Sequence, residues 1–188
     1  MKKHTLFILI LIVSIGYLFA QQGPRIGYDQ LDWGATIEVF QRTYPTAREI
    51  TSELGSIGVR EFEQTNVGSG ITNRRFSFFN NRFYAATVVY EEMNINSALA
   101  LMERLVEIYG IFDDRIEESF PSGNSTVQRT RFFRYYRNNM HVIFALNDIY
   151  NQFNRIIGNA VIIAYVNPIT RDEVSTAERR QRGSQFGL

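Results

Sequence analysis

Arg74-Arg75-Phe76-Ser77-Phe78-Phe79-Asn80-Asn81-Arg82-Phe83-Tyr84-Ala85-Ala86-Thr87-Val88-Val89-Tyr90-Glu91 is the stretch whose reading decides the fold. Two runs of aromatic and β-branched residues flank Asn80-Asn81. Asparagine tolerates positive φ better than most side chains. The pair therefore suits a tight primed turn between antiparallel strands. A second stretch repeats the pattern, with residues 126–137 and 140–146 flanking Asn138-Asn139. Met140, Val142 and Phe144 alternate with Ile143 and Ala145, so this run is apolar on both faces, as a central strand is. Residues 156–166 form another apolar strand, interrupted by Gly158-Asn159 and ended before Pro168. The two Asn-Asn hairpins, 76–84 and 132–141, read as a weak internal duplication.

Outward from these hairpins lie two helical signals. Thr36 is placed to cap a helix over 37–44, with Ile37, Phe40 and Tyr44 on one face and Pro45 as its stop. Asn96 is placed to cap a second over 97–109, whose buried stripe is Ala98, Leu101, Met102, Leu105 and Tyr109, with Gly110 at its end. Residues 59–64 alternate weakly, as an edge strand does, and 68–70 make a turn. Residues 111–124 read as an acidic, turn-rich connection, and 170–188 as a charged, frayed tail. The order α-β-β-β-α-β-β-β predicts an α+β fold: a mostly antiparallel sheet of about six strands with two helices on one face. The expected organisation is a signal peptide over 1–20, a linker over 21–30, a single domain over 31–168 and a charged flexible tail over 169–188.

The leader carries Lys2, Lys3 and His4, followed by the uncharged run 5–20. That run is short of the roughly 20 apolar residues a spanning helix needs and fits a signal peptide cut after Ala20. The alternative is a retained N-terminal anchor. Without the leader all eighteen basic residues are arginines, against nineteen acids, so the net charge is about −1. This near-balance argues against a nucleic-acid partner. The chain has no cysteine, which excludes disulfides, a lipid anchor on Cys, thiol catalysis and Cys-ligated zinc. The fifteen Phe and ten Tyr fall largely in the strand-like runs, as a sheet core with aromatic cross-strand pairs requires.

Leu31-Asp32-Trp33-Gly34-Ala35-Thr36-Ile37-Glu38-Val39 resembles the opening of small exported bacterial domains with a Trp-Gly-x-Ser/Thr start. Those domains continue with a short helix, a hairpin and a helix ending in Tyr-Gly, as Tyr109-Gly110 does here. The resemblance spans roughly 31–110. It implies a fold and an envelope location and carries no catalytic residue.

The catalytic inventory is thin. His141 is the one histidine outside the leader and has apolar strand neighbours, which suits packing better than acid–base work. One histidine makes no typical zinc site. Asp113, Asp114, Glu117 and Glu118 cluster, which suits a solvated loop, without the spacing of a calcium loop. Ser77, Ser97, Ser119, Ser122 and Ser125 lack a nucleophile-elbow context. Gly68-Ser69-Gly70 lacks the lysine of a phosphate loop. No catalytic residue, metal ligand or cofactor is therefore assigned.

Arg129, Arg131, Arg134 and Arg137 interleave with Phe132, Phe133, Tyr135 and Tyr136. Arginine beside aromatic rings can grip anionic glycans or phosphates. Residues 91–118 hold eight acids and two arginines, whereas 125–155 hold five arginines and one acid, so the two segments can also complement each other within the fold or across a subunit contact. The candidate binding residues are Arg129, Arg131, Arg134, Tyr135, Arg137 and Trp33. The expected function is an exported, non-enzymatic binding module of the bacterial envelope, with an envelope protein or anionic glycan as partner. The alternatives are a hydrolase using carboxylates and a self-assembling structural subunit. The sequence leaves oligomeric state open, and a membrane role follows only from an uncleaved leader.

Overall fold

The computed structural model describes residues 26–185; the expected signal peptide and the first half of the linker, 21–25, lie outside the described residues. A two-stranded ribbon, β1 (Gly27–Tyr28) and β2 (Leu31–Asp32), leads into helix α1 (Ile37–Thr43). Thr36 caps α1, its hydroxyl accepting from the Val39 N–H. Four strands follow: β3 (Arg48–Ile50), β4 (Val59–Gly68), β5 (Ile71–Phe79) and β6 (Arg82–Glu91). Helix α2 (Ile95–Tyr109) opens a second helix-and-four-strand unit, with β7 (Asp114–Ser122), β8 (Ser125–Tyr136), β9 (Met140–Tyr150) and β10 (Ile156–Val166). Helix α3 (Pro168–Gln185) closes the described chain.

The eight strands form one antiparallel sheet in the order β3-β4-β5-β6-β10-β9-β8-β7. Each unit is a meander, and the last strands of the two pair at the centre, from Ala85↔Val166 to Glu91↔Ala160. The molecule is thus two α-β-β-β-β halves joined edge to edge, but the Asn-Asn turns are not equivalent in them: Asn80-Asn81 joins the third and fourth strands of the first half, and Asn138-Asn139 the second and third of the second. The Asn80-Asn81 turn has φ of 49° and 61° at its two residues, the left-handed pair a primed turn requires. The second turn differs from the sequence reading. Tyr136 pairs with Met140, three residues close the loop, and Arg137 takes the positive φ.

Side chains alternate across the sheet, so the register assigns two faces. One row runs Phe62↔Phe76↔Ala86↔Tyr165↔Val142↔Arg134 across the strands, and α1 and α2 cover that face. Phe40 of α1 is fully buried among Phe62, Phe76 and Phe78, with ring centroids 5.0, 4.9 and 5.1 Å away. Such pairs each contribute about 0.5–1.5 kcal/mol beyond area burial. Ala98 and Leu105 of α2 pack on Val142, Phe144, Val161 and Ile163. On the opposite face α3 covers only one corner, where buried Val174 meets Val59, Phe79 and Tyr84.

The expected arrangement of about six strands and two helices on one face is therefore corrected: the described residues form eight strands in the main sheet, a two-stranded ribbon and three α-helices on both faces. The acidic connection is strand β7, paired with β8 from Asp114↔Phe133 to Ser122↔Ser125. Its main chain is held by the ladder, and its side chains are largely exposed, so no hydrophobic alternation marks it. Residues 48–50 add the other edge strand. Residues 169–185, expected within the tail, belong to α3, because Val174 and Ala177 recur at helical spacing and find an apolar corner to cover. Helix α2 begins earlier than expected, since Asn94 caps it by accepting from the Ser97 N–H at 2.9 Å.

Candidate binding surface

The sheet face that α3 leaves open carries the residues of interest. Alternation along β8 puts Arg129, Arg131, Phe133 and Tyr135 on this face, and Thr130, Phe132 and Arg134 on the helix-covered one. Cross-strand pairing adds Asn147 opposite Arg129 and His141 opposite Tyr135, while Glu118 and Phe120 come from β7.

These side chains make a connected ladder. Arg129 Nε donates to Asn147 Oδ1 at 2.8 Å, and its guanidinium lies 4.8 Å from the Phe120 ring centroid. Arg131 donates to Glu118 Oε1 at 2.5 Å and sits 5.3 Å over Phe133. Phe133 stacks on Tyr135 with centroids 6.4 Å apart, and Tyr135 meets the His141 ring edge-on at 4.8 Å. Residues 129 to 135 along one strand span roughly 20 Å, at about 3.4 Å per residue. Arg131 Nε is buried without a hydrogen-bond partner, so the guanidinium keeps an unused donor.

The electrostatics are mixed. Arg131 is neutralised by Glu118, whereas Arg129 has no carboxylate partner among the described residues. The Asp114 carboxylate beside Tyr135 pushes its phenol pKa up. Burial pushes His141 down, with Asp172 of α3 opposing weakly. A neutral imidazole on this face therefore offers both a donor and an acceptor.

Arg129, Arg131 and Tyr135 are brought together, and the other candidates stand elsewhere. Arg134 points to the helix-covered face, where it donates to the Tyr109 carbonyl and to Asp113. Arg137 lies in the β8–β9 turn with its guanidinium over Tyr136. Trp33 packs against Phe83, with ring centroids 5.1 Å apart, and touches both halves of the core. Sequence reasoning missed Phe120 and Asn147 because they come from other strands, and it placed Glu118 in a solvated acidic loop. It had named Phe133 and His141 but not joined them to the face. The i, i+2 spacing of Arg129, Arg131 and Phe133 was the available signal.

A second cluster, also unforeseen, lies on the helix-covered face near the joint of the two halves. Tyr28 sits 5.1 Å from Tyr165 and Tyr109 lies 6.1 Å from Tyr165, centroid to centroid. Arg74 approaches Tyr28 at 5.9 Å and Asp29 at 3.5 Å, and Tyr44 donates to Asp29 at 2.8 Å. Burial pushes Tyr28 up to about 12 and raises Tyr165 as well. The cluster ties ribbon, sheet and both helices together.

The carboxylates of 113–118 do not face one another. Asp113 takes Arg134, Glu117 takes Arg115 and Glu118 takes Arg131, and alternation sends Glu117 to the face opposite Asp114 and Glu118. Among the described residues no helix is long and apolar enough to cross a membrane. No protein-family model matches this chain, and neither a curated protein nor a solved structure matches it.

Proposed function

We propose that the protein is an exported, non-enzymatic binding module of the bacterial envelope that holds an anionic glycan across the open sheet face. The observation that carries this reading is the ladder Phe120–Arg129–Asn147 and Glu118–Arg131–Phe133–Tyr135–His141. Sugars present apolar ring faces and hydroxyls that both donate and accept. The ladder offers aromatic faces next to paired donors and acceptors, and Arg129 supplies a positive charge not cancelled by a carboxylate. The leader and the resemblance of the Trp-Gly opening to exported domains support the location.

The test is co-sedimentation of the mature chain with purified cell-wall glycan. Retention is expected for the parent and for Arg134→Ala, whose side chain lies on the other face. Loss is expected for Arg129→Ala and for Arg131→Ala combined with Tyr135→Ala. Equal retention of all variants, or none for the parent, overturns the proposal.

A further inference from the structure

At the far end of the helix-covered face, the start of α2 leans over the ends of β9 and β10 and leaves a hollow of about 270 Å³. Met93, Ala98, Leu146 and Val161 form apolar walls, and Ile95 and Ile156 stand at the rim, 61% and 58% exposed. Two polar side chains of this face interrupt the lining, while Asn147, which also lines the hollow, gives its side-chain oxygen to Arg129 on the other face. Asp148 and Asn159 lie directly opposite each other on β9 and β10, on the same face as Leu146 and Val161. The Asn159 Oδ1 is buried without a hydrogen-bond partner. The Asp148 carboxylate, half-buried, has no ion pair or side-chain hydrogen bond among the described residues.

A buried amide oxygen without a donor costs free energy that a ligand can recover. Here that oxygen sits beside an unpaired carboxylate in an apolar enclosure, so both unused groups are acceptors and the net charge of the lining is negative. The complementary ligand brings several donors and a positive charge on an apolar stem. We infer that this hollow binds a primary alkylammonium group: the ammonium donates to Asp148 and to Asn159 Oδ1, and the stem lies on Met93, Ala98, Leu146 and Val161. The volume falls just below the roughly 300–1,000 Å³ of pockets for drug-sized molecules, which restricts the ligand to a small amine or a single lysine side chain. The site is on the opposite face from the glycan ladder and does not depend on it.

The probe is n-hexylammonium, titrated into the mature chain while the amide signals of Ala98, Val161 and Asn159 are followed by NMR. Saturable shifts of these signals are expected, with hexanol and hexanoate at least about tenfold weaker because they lack the charge-assisted donors. Asp148→Asn keeps the shape of the side chain and is expected to weaken hexylammonium about tenfold. Asn159→Asp places a second carboxylate opposite the first and is expected to tighten it. Circular dichroism of each variant confirms that the fold is retained. A capped lysine peptide distinguishes the sources: tighter binding than hexylammonium assigns the site to a polypeptide lysine, weaker binding to a free amine. Equal affinity for hexylammonium and hexanol, no loss in Asp148→Asn, or no saturable shift overturns the inference.

Discussion

Arg134 on β8 donates through Nε to the main-chain carbonyl of Tyr109, the last residue of α2, at 2.7 Å. The same guanidinium reaches Asp113 at 2.8 Å, and Asp113 in turn accepts from the Tyr135 N–H at 2.8 Å. One side chain thus closes the C-terminal end of a helix, where carbonyls lack intrahelical partners, and fixes the chain as it enters β7. A residue whose sequence context points to a ligand is committed to the fold.

Arg134→Ala is expected to destabilise the protein by about 1–3 kcal/mol, because it leaves a carboxylate and a helix-end carbonyl short of a donor. Urea unfolding measures this. Gly110→Ala is expected to act on the same joint. Gly110 has φ of +92°, and an added Cβ would lie 3.0 Å from the Arg134 guanidinium. A loss of about 1–3 kcal/mol is expected from the backbone alone, because φ of 92° with ψ of 178° is a region essentially restricted to glycine. A Gly110→Ala protein as stable as the parent would contradict this description.

Val174 is fully buried and joins α3 to the sheet. Val174→Ala is expected to cost about 1–3 kcal/mol from lost burial and the space left behind. Removing α3 after Asn167 uncovers Val59, Phe79 and Tyr84, so the truncated chain is expected to bind a hydrophobic dye and to aggregate on warming. Calorimetry and light scattering provide the readouts.

His141 is held neutral by burial, so its folded pKa lies below its unfolded value near 6.5. Below about pH 6.5 the unfolded chain takes up this proton more readily than the folded one. The resulting contribution to stability is present above that pH and is lost as pH falls through the folded pKa. His141→Phe is expected to flatten this part of the stability curve below about pH 6.5. An unchanged slope in the variant would show that other groups set it.

Tyr28 moves the opposite way. Its phenol is raised from 10.0 to about 12, so the folded chain keeps a proton that the unfolded chain gives up. Its contribution is present below about pH 10 and is lost as pH rises toward 12. Tyr28→Phe is expected to reduce the pH dependence of unfolding in that window, and the 295 nm absorbance of the parent should show a phenol ionising late.

The sequence made the hairpins legible where a turn and its flanks agree. Asn80-Asn81 joins two aromatic runs, and both residues adopt the positive φ. Strand β7 was illegible because Asp114, Arg115 and Glu117 are exposed on both faces and no alternation survives. Helix α3 was obscured by its charge, since its inner contact rests on Val174 and Ala177 alone. Part of the open-face ladder could be read, because Arg129, Arg131 and Tyr135 share one strand parity. Glu118 and Asn147 could not, because cross-strand register is set by tertiary pairing. The hollow was beyond reach for the same reason: it needs Ile95 and Ile156 in one lining, sixty-one positions apart in the chain.

An antiparallel sheet of eight strands has two outer rims, and each rim is a row of amide and carbonyl groups able to recruit a neighbour. Here the rims discourage company. Strand β3 is only three residues long, too short to template a long partner. Strand β7 carries Asp114, Arg115 and Glu117 in the open and includes Pro121, which has no N–H to offer. The consequence is a sheet that terminates itself: fibre-like growth through its margins is disfavoured, and concentrated solutions are expected to stay free of strand-to-strand polymers.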